Sequence, residues 1–311
     1  MSAPRPADTI AMLEAAGARG DAAAFAELAA GYLRGDHLAR DLPAARHALR
    51  RAVAIGHVDA ALLEVALAAN GTSAPADWRA ARALLQTAAQ GDPVAAEHAA
   101  LLAAMDLDHD GYPTALPRLD VLSTDPFVAI ARQAVSRGEC LHLAGIAHAL
   151  LEPAVVVDPA TGRSVPHPVR TSHNATIGPA QETLPVAAIT RRLAAITDTA
   201  PDRGEPLQIL RYAPGQQYRL HSDALPGVDN QRRATAIAYL NDGFAGGETS
   251  FPAIGLLVRP VAGDVLVFHN TLPDGTADPR ARHAGLPVTR GGKWVATRWI
   301  RARRFDAWAP A

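Results

Sequence analysis

The feature that most constrains the fold is an internal repeat in the first hundred residues. Alanine-rich segments begin just after Gly20, Gly56 and Gly91, at intervals of 36 and 35 residues. In the first two units, a loop and a second alanine-rich segment follow, and each of these ends at a glycine, as helices commonly do. This period predicts stacked helix–turn–helix units whose alanines allow close packing of neighbouring helices. We therefore expect an N-terminal α-helical repeat solenoid.

The second half of the chain has a different pattern, with Val, Ile, Thr and Tyr runs broken by Gly and Pro. Short strands at near-regular spacing predict a sandwich or jelly roll. The expected fold class is α+β with two domains: repeats over 1–115, a linker and entry helix over 116–136, and a β domain over 137–311. The predicted strands are 207–213, 217–223, 232–242, 255–260, 263–270 and 291–303.

Charge and cysteine content exclude several classes of partner. The 30 basic and 31 acidic side chains nearly cancel, which gives no reason to expect nucleic acid or an anionic membrane. No run of about 18 apolar residues predicts a membrane span. The single cysteine, Cys140, cannot form an internal disulfide, which fits a reducing compartment. We expect a soluble cytoplasmic protein.

The segment "RLHSD" places His221 and Asp223 two residues apart. In an extended segment, side chains at positions i and i+2 share one face, so both would present ligands to one metal ion. His283, on a later predicted strand, is the candidate third ligand. Two histidines and one carboxylate form the facial triad that non-haem Fe(II) oxygenases use. By itself the His-x-Asp pair is also compatible with ordinary surface polarity.

Lys293 begins the segment "KWVATRW", in which strand alternation groups it with Val295, Thr297 and Trp299. A lysine on an apolar face is poorly placed unless it reaches a buried anion. The distal carboxylate of 2-oxoglutarate would be such an anion, while its other carboxylate and keto oxygen chelate iron. The alternative is a lysine on an edge strand that extends its ammonium to solvent.

From about 137 to 305 the chain resembles the catalytic domain of prolyl 4-hydroxylases, within the Fe(II)/2-oxoglutarate dioxygenases. The matching segments, in the family's order, include "VRTSHNATIG", "LQILRYAPGQQYRLHSD", "ATAIAYLNDGFAGGETSFP", "GDVLVFHN" and "RHAGLPVTRGGKWVATRWIR". The resemblance implies a double-stranded β-helix of jelly-roll type. It also implies hydroxylation of an unactivated C–H, most simply in a prolyl residue of a peptide or protein, with O2 consumed and succinate and CO2 released. Ascorbate is expected as the reductant.

Carried over by position, the resemblance assigns several site residues. His221, Asp223 and His283 would be the iron ligands, and Lys293 would bind the 2-oxoglutarate distal carboxylate. Tyr239 would share that carboxylate, and Tyr212 would line the cofactor pocket; for both tyrosines, packing in the core is the alternative. Thr297 shares the face of Lys293 and is expected to line the same pocket, although packing explains it equally well. Arg170 falls in the family's substrate-side loop, with a solvent-facing arginine as the alternative.

The repeats resemble Sel-like repeats, relatives of tetratricopeptide repeats, through "GDAAAFAELAAGYLRG" and "ARDLPAARHALRRAVAIGH". That resemblance implies a protein-interaction surface that could recruit a client protein, while buttressing of the second domain is the alternative. Other functions stay open as well: a hydroxylase of a free amino acid or small metabolite, an oxygen or iron sensor, or an interaction protein with a vestigial barrel. The sequence does not decide between these substrates.

Overall fold

The computed structural model describes residues 5–157, 164–166 and 169–309. Its contacts divide the chain into two compact units, Met1–Tyr112 with Pro179–Ala188, and Pro113–Gly178 with Ile189–Ala311. The first unit is helical and the second is rich in sheet, as the change in sequence pattern predicts. No helix in the described part of the chain is long and apolar enough to cross a membrane.

Local sequence signals set the ends of the repeat helices. Asp21, Asp41, Asp77 and Asp92 each accept hydrogen bonds from backbone N–H groups in the first turn of the helix that follows. Such caps satisfy donors that the helix itself leaves unpaired. The helices are α1 (Pro6–Ala18), α2 (Ala22–Arg34), α3 (Leu42–Ala54), α4 (Val58–Asn70), α5 (Trp78–Ala88) and α6 (Pro93–Ala103).

The core of the helical unit is built largely from alanine and leucine. Ala81 and Ala95 are fully buried, and they pack in one cluster with Trp78 and Leu85. Leu184 belongs to the same cluster, which explains why a short segment of the second half of the chain groups with the repeats. Small side chains at these positions allow helices to pack closely, as the alanine-rich pattern predicts.

The sheet-rich unit carries sixteen strands in the described residues. Two helices accompany them, α7 (Arg137–His148) and α8 (Leu184–Ile196). The strands are β1 (Leu119–Thr124), β2 (Phe127–Ala131), β3 (Glu152–Pro153), β4 (Val155–Val157), β5 (Ser164–Pro166), β6 (His173–Ile177), β7 (Leu207–Tyr212), β8 (Tyr218–His221), β9 (Arg232–Tyr239), β10 (Ala245–Gly246), β11 (Thr249–Phe251), β12 (Leu256–Val258), β13 (Val265–His269), β14 (His283–Gly285), β15 (Val288–Arg290) and β16 (Lys293–Arg301).

Two of the sheets position the functional side chains. The larger has the order β1-β2-β13-β9-β16-β7-β6-β3, and the smaller has the order β12-β11-β14-β8. All pairings in both sheets are antiparallel. Side chains from both sheets, among them Tyr239, Phe251 and Phe268, form one buried cluster. Strands β9, β16 and β7 are adjacent in the centre of the larger sheet, so their alternate side chains share one face.

The prediction of a linker and entry helix over 116–136 is wrong. Those residues form the hairpin of β1 and β2, and β2 pairs with β13 in the larger sheet. The helix begins only at Arg137, where Ser136 and Glu139 form a capping box. The short apolar run "FVAIA" is buried over nearly its whole length, and such a run has no period that separates a buried strand from a helix.

The six predicted strands are present, each within a few residues of the predicted ends. Sequence analysis missed α8 and several very short strands, among them β11 of the smaller sheet. Three-residue strands such as β11 and β14 carry too few residues for an alternation pattern, and their pairing partners are distant in the chain.

Candidate active site

Strand pairing in the smaller sheet brings together two histidines that are far apart in the sequence. His221 is the last residue of β8 and His283 is the first of β14, and the two are direct partners in the antiparallel register. Their ring centroids are 4.3 Å apart. The separation of 62 residues in sequence is therefore bridged by one backbone pairing.

The backbone also sets which ring nitrogen of each histidine faces the pocket. Nδ1 of His221 lies 2.8 Å from the carbonyl oxygen of Arg219, and Nδ1 of His283 lies 3.2 Å from that of Ala281. A carbonyl oxygen only accepts, so each Nδ1 carries the proton and donates it. Each Nε2 is left with a lone pair available to a metal ion.

Asp223 completes the group, although β8 ends at His221 and the carboxylate lies in the turn that follows. Its Oδ1 is 3.5 Å from Nε2 of His221, and its Oδ2 is 3.7 Å from Nε2 of His283. The three ligand atoms all lie within 4.8 Å of one another. With Nδ1 of each ring as the donor to a carbonyl, three electron-pair donors converge, and a cation between them would relieve their repulsion. Since metal–ligand bonds are about 2 Å long, one ion can contact all three.

Burial and charge keep these groups in the forms that ligate metal. Burial lowers the pKa of His283 to about 4, because the enclosed ring disfavours the charged form, although Asp223 opposes this shift. For Asp223, burial alone would raise the pKa. In acid, where the rings of His283 and His221 can be protonated, their charges and a hydrogen bond from Thr235 outweigh it, so that the pKa falls well below its usual range. A neutral imidazole and an ionised carboxylate therefore coexist at neutral pH.

One pocket joins this cluster to the face of β16. Lys293, Val295, Thr297 and Trp299 alternate along that strand and all line the pocket, together with His221, Asp223 and His283. Tyr212, the register partner of Lys293 on β7, lines it as well. The structure thus brings together the site residues that sequence analysis named, except Tyr239 and Arg170. The remaining lining residues are Leu210, Tyr218, Ile237, Thr249 and Gly285.

Lys293 is the cationic end of the pocket and is only 5% exposed. Its Nζ donates to the carbonyl oxygen of Gly247 at 2.6 Å, which uses one of three donors. Burial lowers the pKa of Lys293 to about 8, and the charge of Glu248 opposes the shift only in part. The ammonium is therefore mostly protonated at neutral pH, and no carboxylate of the described residues pairs with it. An anionic ligand would complete its coordination.

The two tyrosines differ in position. The rings of Tyr212 and Tyr239 both have their centroids 5.6 Å from Nζ of Lys293. Tyr239 does not itself line the pocket. Its hydroxyl forms a hydrogen bond with Oγ1 of Thr249 at 2.9 Å, and Thr249 lines the pocket. Burial raises the pKa of both phenols, so both hydroxyls are neutral.

Sequence analysis missed Tyr218, whose ring stacks on His221 with centroids 3.5 Å apart and planes at 10°. The guanidinium of Arg170 lies 5.6 Å from the Tyr218 ring centroid, and the two residues form a backbone bridge. Regular alternation would place residues 218 and 221 on opposite faces. An irregularity in the pairing of β8 with β14 breaks that alternation, and no local signal in the sequence reveals it.

Comparison with known proteins agrees with this geometry. The sequence model of the 2OG-Fe(II) oxygenase superfamily matches residues 207–301. Prolyl 4-hydroxylase 1 of Arabidopsis thaliana is 35% identical over 203 residues, which cover 59% of this chain and 72% of that protein.

Two solved structures are similar to parts of the chain. The viral collagen prolyl hydroxylase of Paramecium Bursaria Chlorella virus-1, solved with 2OG, is 27% identical with a TM-score of 0.46, over 57% of this chain and 96% of that one. A Sel1 repeat protein from Oxalobacter formigenes is 30% identical with a TM-score of 0.27, over 28% of this chain and 66% of that one.

The superfamily match and the site define a 2-oxoglutarate-dependent Fe(II) dioxygenase. Within that class, the chain belongs to the prolyl 4-hydroxylase family, on the strength of its identity to the plant enzyme over nearly three quarters of that enzyme's length.

Proposed function

We propose that this enzyme hydroxylates a prolyl residue in a peptide or protein, using Fe(II), 2-oxoglutarate and O2 and releasing succinate and CO2. The observation that carries the proposal is a single pocket in which two histidines and a carboxylate converge and a buried lysine lies on the same wall. The relatives named prolyl 4-hydroxylase support the choice of substrate.

His221, Asp223 and His283 would hold the iron, because their lone pairs converge and both imidazoles are oriented by backbone carbonyls. Three ligands from the protein leave positions on the metal for other groups. When bound, iron and 2-oxoglutarate supply the oxidising chemistry: O2 is divided between succinate and a new hydroxyl group on the substrate, and CO2 is lost.

Lys293 would bind the distal carboxylate of 2-oxoglutarate, because its ammonium is buried and retains donors beyond the one that Gly247 uses. Tyr212 and Thr297 would contact the cosubstrate from the pocket wall. Tyr239 would act at one remove, by orienting the hydroxyl of Thr249. Trp299 and Val295 would exclude water from the same wall. Ascorbate would keep the iron reduced between turnovers.

The finer architecture belongs to the same proposal. The larger and smaller antiparallel sheets would form a double-stranded β-helix of jelly-roll type, which the shared core cluster of the two sheets supports. Helices α2 to α6 would form a short solenoid of Sel-like repeats, which the recurrent Asp caps support. The repeats would recruit the client protein.

The test is hydroxylation of proline-rich peptides by the purified full chain with Fe(II), ascorbate and 2-oxoglutarate. We expect one oxygen atom from ¹⁸O2 to be added per succinate formed, and 4-hydroxyproline on amino-acid analysis. The matched control is the same peptide with each proline replaced by alanine. Equal oxygen incorporation into both peptides, or into a free amino acid alone, would refute the prolyl-peptide assignment.

A further inference from the structure

The carboxylate of Asp223 is held by a buried hydroxyl that no role has yet been assigned to. Oγ1 of Thr235, on β9, lies 2.7 Å from Oδ2 of Asp223. Thr235 has no exposed surface, and Asp223 is only 4% exposed. The contact therefore forms without competition from solvent. It joins Asp223, in the turn after β8, to strand β9 of the larger sheet.

Thr235 is held in turn by Asn270, which follows the last residue of β13. Nδ2 of Asn270 lies 2.8 Å from Oγ1 of Thr235, and Asn270 is 2% exposed. Two backbone bonds fix Asn270 in place: its N–H donates to the carbonyl oxygen of Arg233, and its own carbonyl accepts from the N–H of Asp278. The amide thus reaches Thr235 from a rigid position.

Proton counting gives this chain of bonds one direction. A threonine hydroxyl has a single proton, and an ionised carboxylate only accepts. Thr235 therefore donates to Asp223, and its oxygen accepts from the amide of Asn270. If the amide were reversed, Oδ1 of Asn270 would face Oγ1 and compete with Asp223 for the one proton. Because the N–H group of the amide faces Thr235, the hydroxyl proton of Thr235 is donated to Asp223.

The amide oxygen of Asn270 shows that the hydrogen bond from Asn270 to Thr235 has a free-energy cost. Oδ1 of Asn270 is buried and has no hydrogen-bond partner among the described residues. A buried unpaired polar atom costs about 1–3 kcal/mol, which an apolar side chain of the same size would avoid. Packing alone does not account for an amide here, whereas donation to Thr235 does.

We propose that Thr235 and Asn270 are positioning residues for Asp223: a relay from Asn270 through Thr235 fixes the rotation of the carboxylate that ligates iron. This inference rests on the proposed metal site. Groups that orient a ligand in this way typically change metal affinity by about 10–100-fold when they are removed.

The first test compares Thr235→Val, which keeps the shape and removes the hydroxyl, with Thr235→Ser, which keeps the hydroxyl. Co(II) is the probe, and its affinity is measured by titration calorimetry and by its visible absorption band, with the metal-free melting temperature recorded for each variant. We expect Thr235→Val to bind Co(II) about 10–100-fold more weakly with an altered band, and Thr235→Ser to restore both. Wild-type affinity and an unchanged band in a folded Thr235→Val would overturn the proposal.

The second test is a double-mutant cycle that combines Asn270→Leu with Thr235→Val. If Thr235→Val does not fold, Thr235→Ala takes its place in the cycle. Asn270→Leu should weaken Co(II) binding when residue 235 is threonine and have no further effect when its hydroxyl is absent. Additive losses would mean that Asn270 acts only through packing, and would refute the relay. Failure of the wild-type chain to bind Co(II) would refute the metal site itself, a result distinct from failure of the relay.

Discussion

A buried cation of the helical unit, Arg46, and one of the sheet-rich unit, Lys293, are neutralised differently. In the repeats, Arg46 donates to Glu64 at 2.6 and 3.1 Å and to the carbonyl oxygen of Thr72 at 3.0 Å, and Arg50 also pairs with Glu64. In the pocket, Lys293 is as deeply buried as Arg46 but bonds only to a backbone carbonyl among the described residues. The cation of the first cluster thus has a carboxylate partner within the chain, whereas Lys293 has none among the described residues.

This difference separates a structural charge from a functional one. A buried ion pair with all its partners present needs nothing further, and removing one partner exposes the other to a large penalty. A buried cation without a carboxylate, next to three converging metal ligands, is stable only at a cost that a ligand would relieve. Both cations are thus buried, but Arg46 has a carboxylate partner among the described residues and Lys293 has none.

The largest effect should follow from Asp223→Asn, which keeps the shape of the ligand and removes its charge. We expect loss of metal binding and of succinate formation to below detection, because the two remaining imidazole ligands carry no negative charge to offset that of the metal ion. Metal content and succinate are the measurements. Glu64→Gln is the control, because it removes a charge from the Arg46–Glu64 cluster of the helical unit. It should leave metal content and succinate formation unchanged. Normal metal content in Asp223→Asn would contradict the account.

Lys293→Met and Arg46→Met should have opposite consequences. Lys293→Met should raise the KM for 2-oxoglutarate about 100-fold, through loss of a buried charge-assisted bond. It should also stabilise the ligand-free protein by about 1–3 kcal/mol at pH 7. The folded-state pKa of Lys293 lies below the unfolded value, so the charged form destabilises the fold at every pH below about 8.

Arg46→Met should instead lower the free energy of unfolding by about 3–5 kcal/mol, because Glu64 loses its main partner, and leave the KM for 2-oxoglutarate unchanged. Denaturant unfolding measures the free energy of unfolding of each variant, and steady-state kinetics measure its KM for 2-oxoglutarate. A Lys293→Met protein that is less stable than wild type, with an unchanged KM for 2-oxoglutarate, would mean that Lys293 stabilises the fold and does not bind the cosubstrate.

The affinity for 2-oxoglutarate should depend on pH through the same lysine. The pKa of Lys293 is about 8 in the free protein, and binding of a carboxylate favours the charged form. Affinity should therefore be full below pH 8 and fall by up to about tenfold per pH unit above it. Anaerobic titration of the metal-loaded protein from pH 7 to 9.5 measures this. In Lys293→Arg the slope should vanish, because arginine stays charged; an equal slope in both proteins would assign it to another group.

The smallest effect is expected from Tyr239→Phe, which removes the hydroxyl that bonds to Thr249 behind the pocket wall. Loss of one buried hydrogen bond should raise the KM for 2-oxoglutarate about 3–10-fold with little change in kcat. Tyr32→Phe, on α2 of the helical unit, is the matched control and should have no effect. A larger effect than that of Lys293→Met would mean that the phenol, rather than the ammonium, is the main contact of the cosubstrate.

Sequence reasoning was most successful where local signals decide the structure. The repeat helices begin at Asp caps and end near glycines, so their bounds follow from neighbouring residues. The alternation along β16 depends only on that strand, and it correctly predicts that Lys293 and Thr297 share a face. These parts of the fold and site needed no knowledge of distant contacts.

The rest depends on pairings that join distant segments. The hairpin of β1 and β2 is a strand pair because β13 lies beside it, and "FVAIA" alone does not reveal this. Tyr218 reaches His221 through an irregular pairing with β14. Thr235 and Asn270 belong to a strand and a turn that meet only in the folded sheet, so the bonds from Asn270 to Thr235 and from Thr235 to Asp223 could not be predicted from the sequence.

The central claim is that the incompletely neutralised pocket binds iron and 2-oxoglutarate and turns them over. The most direct measurement is succinate formation after air is admitted to the anaerobic full chain with Fe(II), ascorbate and 2-oxoglutarate, for wild type and for His221→Ala. The account predicts oxygen-dependent succinate from the wild type and none from His221→Ala. No succinate from folded wild type, or equal amounts from both proteins, would contradict it.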